Sequence, residues 1–512
     1  MADSTTNQRQ PNRRVPSAAL REVTASPRTP MLGRSISSQF GSPGAFRAEQ
    51  EDVLVYELGA RHFSAGFAGE SRPRCILPFT SETGRRAGDY RMYDPSYAKN
   101  AREWRLKGGE DWSADHELYR MDVRDIDLGL VEDKLERALR IAMSDYLQLD
   151  AKPRKAILVI PSLLPNPLVE VALRVLFAHF TQPPAVAILT IPVMSCVSAG
   201  IRTALVVDIG WEETVVTAVG EYKEIAQHRS IRAGKMLTRE VVTTLEQHIK
   251  SQGGPDGIQF TFDEAEDIAQ RMAWCQRRDP EDDSSESVVQ LPLPASDPPT
   301  TFPIAFNKLA EPAERTFFPL DGPREHDDHD QPLNLLTYRV LMALQPDARA
   351  VCVSRVIITG GASNLPGLKK RLLQELSHLV ETRGWTTVSN YGSAAARHAE
   401  VLKQQSVNMA LRNAKIVEEP AYSPAQMPLQ EHVPHADRIH DHLKDPLTLK
   451  AETEANRGKV ETVKGVIRGV ETLGPWAGAS LMAMLRVKGA CEIEREDFIK
   501  HGLTREGRGG VV

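Results

Sequence analysis

The sequence predicts an α/β fold built from two duplicated lobes, and two observations carry that prediction. A buried-strand pattern over residues 53–57 ends in an acid and is followed by Gly59. The run over 205–208 repeats this layout, with Gly210 after it and an alternating return strand over 214–219. Strands then alternate with amphipathic helical segments, which is the order typical of α/β folds. The two matching units indicate an internal duplication.

Apolar spacing and start signals indicate the helices. Apolar residues recur at intervals of three and four between 135 and 149, which gives a helix one buried face. Asn166 followed by Pro167 predicts a helix start, with the asparagine as cap and the proline at the first helical position. That helix is expected to carry Phe180. A further amphipathic run covers 368–380.

Composition and charge exclude several classes of protein. The chain has 512 residues, 41% hydrophobic and 26% charged, so we expect folded cores and, at about 150 residues per domain, roughly three compact units. Lys and Arg number 63 against 68 Asp and Glu, a net charge of -5, which argues against a dedicated nucleic-acid binder. No apolar run approaches the ~20 residues that cross a bilayer. The N-terminus, which begins Met1-Ala-Asp-Ser, lacks the apolar stretch that a signal peptide requires.

The five cysteines are scattered and contain no Cys-x-x-Cys pair. This spacing excludes a disulfide framework and a thiolate zinc site, and it fits a reducing compartment. We therefore expect a soluble, intracellular protein. The cysteines are Cys75, Cys196, Cys275, Cys352 and Cys491.

Three stretches differ in composition from the rest of the chain. Residues 1–50 are basic, rich in Ser and Pro and without apolar periodicity, so we predict a disordered tail. Residues 277–330 are acidic and proline-rich, and residues 386–465 have a mixed, low-complexity composition. Both are predicted to be surface insertions or irregular edges of a subdomain.

The acid-bearing turns are the chemically suggestive feature. Glycine-containing turns at Gly59 and Gly210 can direct backbone N–H groups onto a polyphosphate from two sides. Glu57 and Asp208, at the strand ends, could hold a hydrated Mg²⁺ beside the phosphates. An acid at a strand end is also an ordinary turn residue, so the spacing alone leaves both interpretations open.

A third apolar strand over 356–359 runs into Gly360 and Gly361. A Gly-Gly turn allows a flat base to approach the backbone closely. The sequence therefore predicts the base side of a nucleotide site after this strand.

Five segments in consistent order resemble the actin family. They are Gly66-Phe-Ala-Gly-Glu-Ser-Arg-Pro-Arg-Cys-Ile-Leu-Pro78, the strand and helix between Ile157 and Phe177, Leu205-Val-Val-Asp-Ile-Gly210, Val356-Ile-Ile-Thr-Gly-Gly-Ala-Ser-Asn-Leu-Pro-Gly367 and Gly474-Pro-Trp-Ala-Gly-Ala-Ser-Leu481. The resemblance spans residues 53–503 and implies an actin-like fold of two ribonuclease-H-like lobes. It implies a first lobe over 51–200 whose outer subdomain, 79–120, is divergent. A second lobe over 201–385 and a C-terminal segment, 466–512, that returns to the first lobe complete the implied organisation.

The same resemblance implies a set of cofactor-binding positions. The expected cofactor is ATP or ADP with Mg²⁺, which Asp208 would hold through water. The implied residues are Glu57, Gly59, Arg61, Asp208, Gly210, Gly234, Lys235, Arg271, Gly360 and Gly361.

The two turns depart from the family pattern. Ala60, Arg61 and Ser64 stand where the family has a serine, a glycine and a phosphate-binding lysine. Trp211 and Glu212 stand where it has Asp-Gly. The carboxylates of Glu212 and Glu213 add negative charge near a polyphosphate. The Arg61 guanidinium can offset this charge, because it can bind phosphate oxygens at two points.

The expected catalytic position is also changed. Ile191 lies at or beside the place of the glutamine that orients the attacking water, and an aliphatic chain cannot hold a water in line. Met272 replaces an acid on the adenosine side. We therefore expect no catalytic residue and no hydrolysis. Two states of the site stay open: a bound, unhydrolysed nucleotide, or a pocket filled by its own side chains, Trp211 among them.

Within the family the chain most resembles the divergent branch found at the pointed end of dynactin. This resemblance implies a cap on a short filament, with a filament-forming actin-related protein and other pointed-end subunits as partners, and dynein and cargo adaptors as indirect ones. It also implies a cytoplasmic, cytoskeletal location, no nucleic-acid partner and no direct membrane insertion. Two alternatives are a nuclear actin-related scaffold in a chromatin-remodelling complex and an active actin-fold ATPase.

Overall fold

The computed structural model describes residues 53–86, 88, 90, 93–96, 112–150, 152–253, 259–279, 287–292, 300–319, 328–385, 466–485 and 491–503. The predicted tail, 1–50, and the predicted insertion, 386–465, lie outside the described residues. Among the described residues, no helix has both the length and the apolar character needed to cross a membrane.

Strands and helices alternate through most of the described chain. The strands are β1 Val53–Leu58, β2 His62–Phe67, β3 Cys75–Pro78, β4 Lys155–Ile160, β5 Ala185–Thr190, β6 Ala204–Ile209, β7 Thr214–Gly220, β8 Lys223–Ser230, β9 Val288–Pro292, β10 Thr301–Ala305, β11 Val356–Thr359, β12 Gly469–Val470 and β13 Cys491–Glu494. The helices are α1 Leu128–Ile141, α2 Asn166–Ala178, α3 Ile191–Ser198, α4 Gly234–Ser251, α5 Phe262–Met272, α6 Glu311–Phe317, α7 Leu333–Ala343, α8 Pro346–Val353, α9 Leu368–Arg383, α10 Pro475–Met484 and α11 Arg495–His501.

The first lobe is built on a six-stranded sheet in the order β13-β5-β4-β1-β2-β3. β1 pairs antiparallel with β2 and parallel with β4. A core that includes Tyr56, Phe63 and Leu139 packs this sheet against α1 and α2. The chain returns to this lobe at its C-terminal end, because β13 pairs antiparallel with β5.

The second lobe repeats that arrangement on a sheet in the order β12-β11-β6-β7-β8. β6 pairs antiparallel with β7 and parallel with β11, as β1 does with β2 and β4. Leu205, Val207 and Phe317 belong to its core. The prediction of an α/β fold with two duplicated lobes is confirmed.

Two helices, α3 and α10, pack together where the chain passes between the lobes. Gly478 of α10 lies so close to α3 that a Cβ atom there would collide with the Met194 carbonyl oxygen. Two residues earlier, the Trp476 indole N–H donates to the Val55 carbonyl of β1 at 3.1 Å. This hydrogen bond places the start of α10 directly beside β1.

Several local predictions need correction. The stretch 277–330 is not simply irregular, because β9, β10 and α6 lie within it and Leu291 and Ile304 are almost fully buried. Proline and acidic residues obscured the short alternating strands in the sequence. α2 begins at Asn166 itself with Pro165 as its cap residue, and it ends at Ala178, so Phe180 lies beyond it and is half exposed.

Candidate functional site

The β1–β2 and β6–β7 turns have the same backbone construction. In the first, the Gly59 N–H donates to the His62 carbonyl at 3.0 Å, and in the second the Gly210 N–H donates to the Glu213 carbonyl at 3.1 Å. Each turn follows a strand that carries an acid near its end. The predicted pair of acid-bearing hairpins is therefore present in the structure.

Glu57 and Asp208, the acids of these two strands, interact electrostatically. Desolvation, and then the charge of Asp208, raise the pKa of Glu57 to about 7, although the backbone N–H of Trp476 donates to its carboxylate and opposes the shift. Desolvation raises the pKa of Asp208 to about 6. Like charges in a poorly solvated place favour protonation of one of them. The structure thus brings the two predicted acids together.

Gly360 follows β11 at the point where that strand runs beside Asp208. It has φ +91°, and a Cβ atom there would lie 2.5 Å from Asp208 Oδ1 and would also collide with the Ile209 carbonyl oxygen. Only glycine fits this position without strain. Gly361 is different, because a Cβ atom added there meets nothing within 4 Å. The backbone thus approaches the acid pair closely at Gly360.

The first turn of α4 sits directly on the β6–β7 turn. The Gly234 N–H donates to the Gly210 carbonyl at 3.0 Å, and the Lys235 N–H donates to the Trp211 carbonyl at 2.9 Å. A Cβ atom at position 234 would lie 3.2 Å from the Trp211 ring. Glycine at this position therefore lets the helix and the turn pack closely.

Arg61 reaches from the first turn to the second lobe. Its Nη2 pairs with Glu266 Oε1 at 2.6 Å, and its Nη1 donates to the carbonyls of Phe79 and His116. The guanidinium carbon lies 5.0 Å from the centre of the Trp211 ring and 4.7 Å from that of Phe262. The side chain predicted to grip phosphate is buried and bonded to protein groups.

An aromatic cluster surrounds this guanidinium. Phe262, the first residue of α5, is 3% exposed. Its ring stacks on His116 at 4.2 Å between centroids, lies 5.1 Å from the Trp112 ring and meets the Trp211 ring edge-on at 5.7 Å. Because Trp112 and His116 belong to the first lobe, the ring of Phe262 fills space between the lobes. A reciprocal capping box at Thr261 fixes the start of α5 and so the position of this ring.

Glu117 is a site residue that sequence reasoning missed. Its carboxylate is 3% exposed, accepts from the Trp211 Nε1 at 2.9 Å and pairs with Lys235 Nζ at 3.1 Å. Lys235 also pairs with Glu212 at 2.6 Å. The Lys235 ammonium and the Trp211 indole lower the pKa of Glu117 against the effect of burial, whereas burial raises the pKa of Glu212. No local sequence signal marks Glu117, because its second-lobe partners, Trp211 and Lys235, are distant in the chain.

His116 is buried beside a carboxylate. Its Nδ1 lies 3.6 Å from Asp263 Oδ1. Burial lowers the pKa of the imidazole, and the nearby Arg61 charge lowers it further, while the Asp263 charge opposes them. The ring is therefore held neutral by its surroundings at pH 7.

The remaining predicted positions are dispersed. Arg271 lies in the last turn of α5, is mostly exposed and pairs with Asp267 of the same helix. Ile191 is buried at the start of α3, where it contributes to a core with Trp476. Met272 packs on the outer core of the second lobe. The clustered positions are thus the turn residues, Gly234, Lys235 and Gly360.

A polyphosphate does not fit this arrangement of charges. Arg61 and Lys235, the two cations among the predicted cofactor-binding residues at the turns, are bound by three carboxylates, those of Glu266, Glu117 and Glu212. A phosphate would have to displace these partners and would then face their negative charge. Glu57 and Asp208 retain oxygen atoms of the kind that a hydrated divalent cation prefers.

Comparison with known families agrees with the fold. Residues 48–297 match the family model described as Actin. Over these residues the chain is similar to the actin family, and the two-lobed actin-like fold continues beyond the match through β11, α10 and β13.

Proposed function

We propose that the protein is a non-catalytic actin-family subunit that caps the pointed end of the dynactin filament. In this role it would join the terminal filament-forming actin-related protein through one face. Its other surfaces would hold the remaining pointed-end subunits, and through them cargo adaptors and dynein. The proposal places it in the cytoplasm, on the cytoskeleton.

The observation that carries the non-catalytic part is the contact between the two turns. Arg61 of the first turn stacks on Trp211 of the second, so side chains of the protein bridge the space that phosphates would need. Ile191, buried in a core, offers no polar atom to orient a water. We infer that the lobes act as a scaffold and do not turn over nucleotide.

The capping part rests on the sequence resemblance to the pointed-end branch and on a physical argument about growth. A filament grows when each subunit carries both halves of a head-to-tail interface. A subunit that keeps one half and lacks the other joins an end and stops extension. Residues 79–120, the outer subdomain implied by the resemblance, differ from the family pattern. This difference supports the loss of one half of the head-to-tail interface.

Affinity purification of the tagged full chain from its own cells tests the proposal. Bound proteins are identified by mass spectrometry, and nucleotide is extracted from the same sample. We expect an actin-related filament protein together with dynein-activating subunits. Recovery of chromatin-remodelling subunits instead would replace the dynactin assignment with the nuclear scaffold.

A phosphate-release assay on the purified chain tests the absence of catalysis separately. The chain is incubated with ATP and Mg²⁺, and an Ile191→Gln variant provides the matched comparison at the position of the missing glutamine. We expect no release above background from either protein, because Arg61 and Trp211 still bridge the turns in the variant. Turnover by the wild-type chain would refute the non-catalytic assignment.

A further inference from the structure

We propose that Glu117 is an internal ligand of the second lobe, which holds the two lobes closed and excludes a phosphate or carboxylate ligand from the donors of Trp211 and Lys235. This inference deepens the proposed function at the same site, because it names what takes the place of a nucleotide there. It makes the closed state a property of the chain itself, independent of nucleotide and Mg²⁺.

The donors that meet Glu117 form an anion site built on the second lobe. Trp211 Nε1 lies 2.9 Å from Oε2, and Lys235 Nζ lies 3.1 Å from both carboxylate oxygens. The indole and the ammonium are fixed by the β6–β7 turn and the first turn of α4, whose backbones are hydrogen-bonded to each other. An anion placed here therefore meets donors that are already oriented.

The first lobe in turn holds Glu117 rigidly. Arg120 Nε donates to its carboxylate at 2.7 Å, and Lys134 Nζ donates to its carbonyl at 2.8 Å. The next residue, Leu118, is buried in the first core and its N–H donates to the Ala60 carbonyl at 2.7 Å. The carboxylate thus links the second lobe to a fixed point of the first.

The charges around Glu117 leave little attraction for another anion. Lys235 is shared between Glu117 and Glu212, and Arg120 supplies a second cation. Two cations and two carboxylates balance within this group. An external phosphate would have to compete with a tethered carboxylate, whose effective concentration at the donors is high.

Hydrogen exchange measured by mass spectrometry on the full chain tests this inference. The comparison is between the wild type and Glu117→Gln, each with and without inorganic phosphate. In the variant we expect exchange about tenfold faster in segments 208–236 and 261–266, because the charge that links the lobes is gone. We expect phosphate to slow that exchange again in the variant and to leave the wild type unchanged.

Glu213→Gln is the matched control. Glu213 lies on the same turn as Trp211, but it pairs with Arg229 of its own lobe at 3.2 Å. Its replacement should leave exchange in segment 261–266 at the wild-type rate. If Glu117→Gln does not fold, Glu117→Asp replaces it: the side chain is one methylene shorter, so its carboxylate no longer reaches Trp211 Nε1 and Lys235 Nζ, and faster exchange in the same segments is expected from the loss of these bonds.

Two results would overturn the inference. One is exchange in Glu117→Gln equal to that of the wild type, and the other is equal protection of both proteins by phosphate. Neither result depends on which proteins bind the chain in cells. Failure here is therefore distinguishable from failure of the proposed function.

Discussion

The guanidinium carbon of Arg61 lies 5.0 Å from the centre of the Trp211 ring, and this stack joins the two turns that face each other between the lobes. Arg61 belongs to the first lobe and Trp211 to the second. The ion pair between Arg61 and Glu266 is a second contact between the two lobes. Side chains of the protein therefore occupy the space between the turns.

Replacing Arg61 with alanine should destabilise the protein strongly. The guanidinium is bonded to two carbonyls, one carboxylate and two rings, and its removal leaves Glu266 with an uncompensated charge. We expect a loss of about 3 kcal/mol in the free energy of unfolding, measured by urea denaturation. Arg86→Ala, which breaks the exposed pair with Asp127, should cost much less, because an exposed ion pair contributes little to stability. Equal losses in the two variants would contradict the importance of the Arg61 contacts.

Lys235→Met should be more damaging than Glu117→Gln. Without the ammonium, Glu117 and Glu212 face each other as carboxylates, whereas loss of the Glu117 charge leaves Lys235 paired with Glu212. We expect a cost of about 3–5 kcal/mol for the lysine variant and about half of that or less for the glutamate variant, from urea unfolding at pH 8.

The cost of Lys235→Met should also depend on pH. Loss of the cation raises the folded-state pKa of both carboxylates relative to the wild type, so the penalty is greatest at high pH. It shrinks as the pH falls and the carboxylates take up protons. Unfolding of the variant and the wild type between pH 8 and pH 5 should therefore converge. A difference that is constant across this range would contradict the proposed charge balance.

His116 should make the wild-type protein less stable in mild acid. Burial lowers its folded-state pKa below 6.5, so the unfolded chain takes up the proton first as the pH falls. The stability that the neutral ring contributes is present above pH 6.5 and is lost below it. The charged groups facing the ring are Asp263, Arg61, Glu266 and Asp115, and the desolvation effect outweighs their sum.

A pair of histidine variants checks this effect. His116→Gln should lose less stability than the wild type between pH 7.5 and pH 5.5, measured by thermal unfolding. His228→Gln, which replaces an exposed ring on β8, should follow the wild type. Parallel pH profiles for all three proteins would show that His116 is not the titrating group.

The sequence identified those parts of the site that follow local rules. Strand-end acids and tight-turn glycines gave Glu57, Asp208, Gly59 and Gly210, because strand periodicity and turn geometry are encoded over a few residues. Glu117 follows no such rule. It lies in a segment without apolar periodicity, and only the folded chain brings it to Lys235.

The acidic stretch 277–330 shows a second limit of sequence reasoning. Its two strands are five residues long and contain prolines, so composition outweighed periodicity in the prediction. Burial of Leu291 and Ile304 is decided by packing against α4 and α5, which no local pattern reports. Tertiary contacts of this kind determine structure where the local signal is weak.

Gly360 and Gly361 are neighbours with opposite expected responses to alanine. At Gly360 a methyl group would collide with the Ile209 carbonyl, and φ is +91°, so we expect Gly360→Ala to cost about 2 kcal/mol or more. At Gly361 a methyl group meets nothing within 4 Å, so Gly361→Ala should change stability by less than about 1 kcal/mol. Urea unfolding of both variants measures this, and similar costs would contradict the close approach at Gly360.

Asp208→Asn should stabilise the protein when divalent cations are removed. Glu57 and Asp208 repel each other in a poorly solvated place, and desolvation raises the pKa of Asp208 to about 6. Because this folded-state pKa lies above the unfolded value, the ionised carboxylate costs stability above pH 6, and the cost disappears as the pH falls below 4. We expect a gain of about 1–2 kcal/mol at pH 7.5 in EDTA.

A surface carboxylate provides the control for this last variant. Asp122→Asn, which replaces an exposed group paired with Arg124, should leave the free energy of unfolding almost unchanged, because exposed ion pairs contribute little to stability. Adding Mg²⁺ extends the test, because a cation that bound Glu57 and Asp208 would stabilise the wild type by mass action and would stabilise the asparagine variant less. An asparagine variant that is less stable than the wild type in EDTA would show that Asp208 is satisfied as an anion by the protein itself.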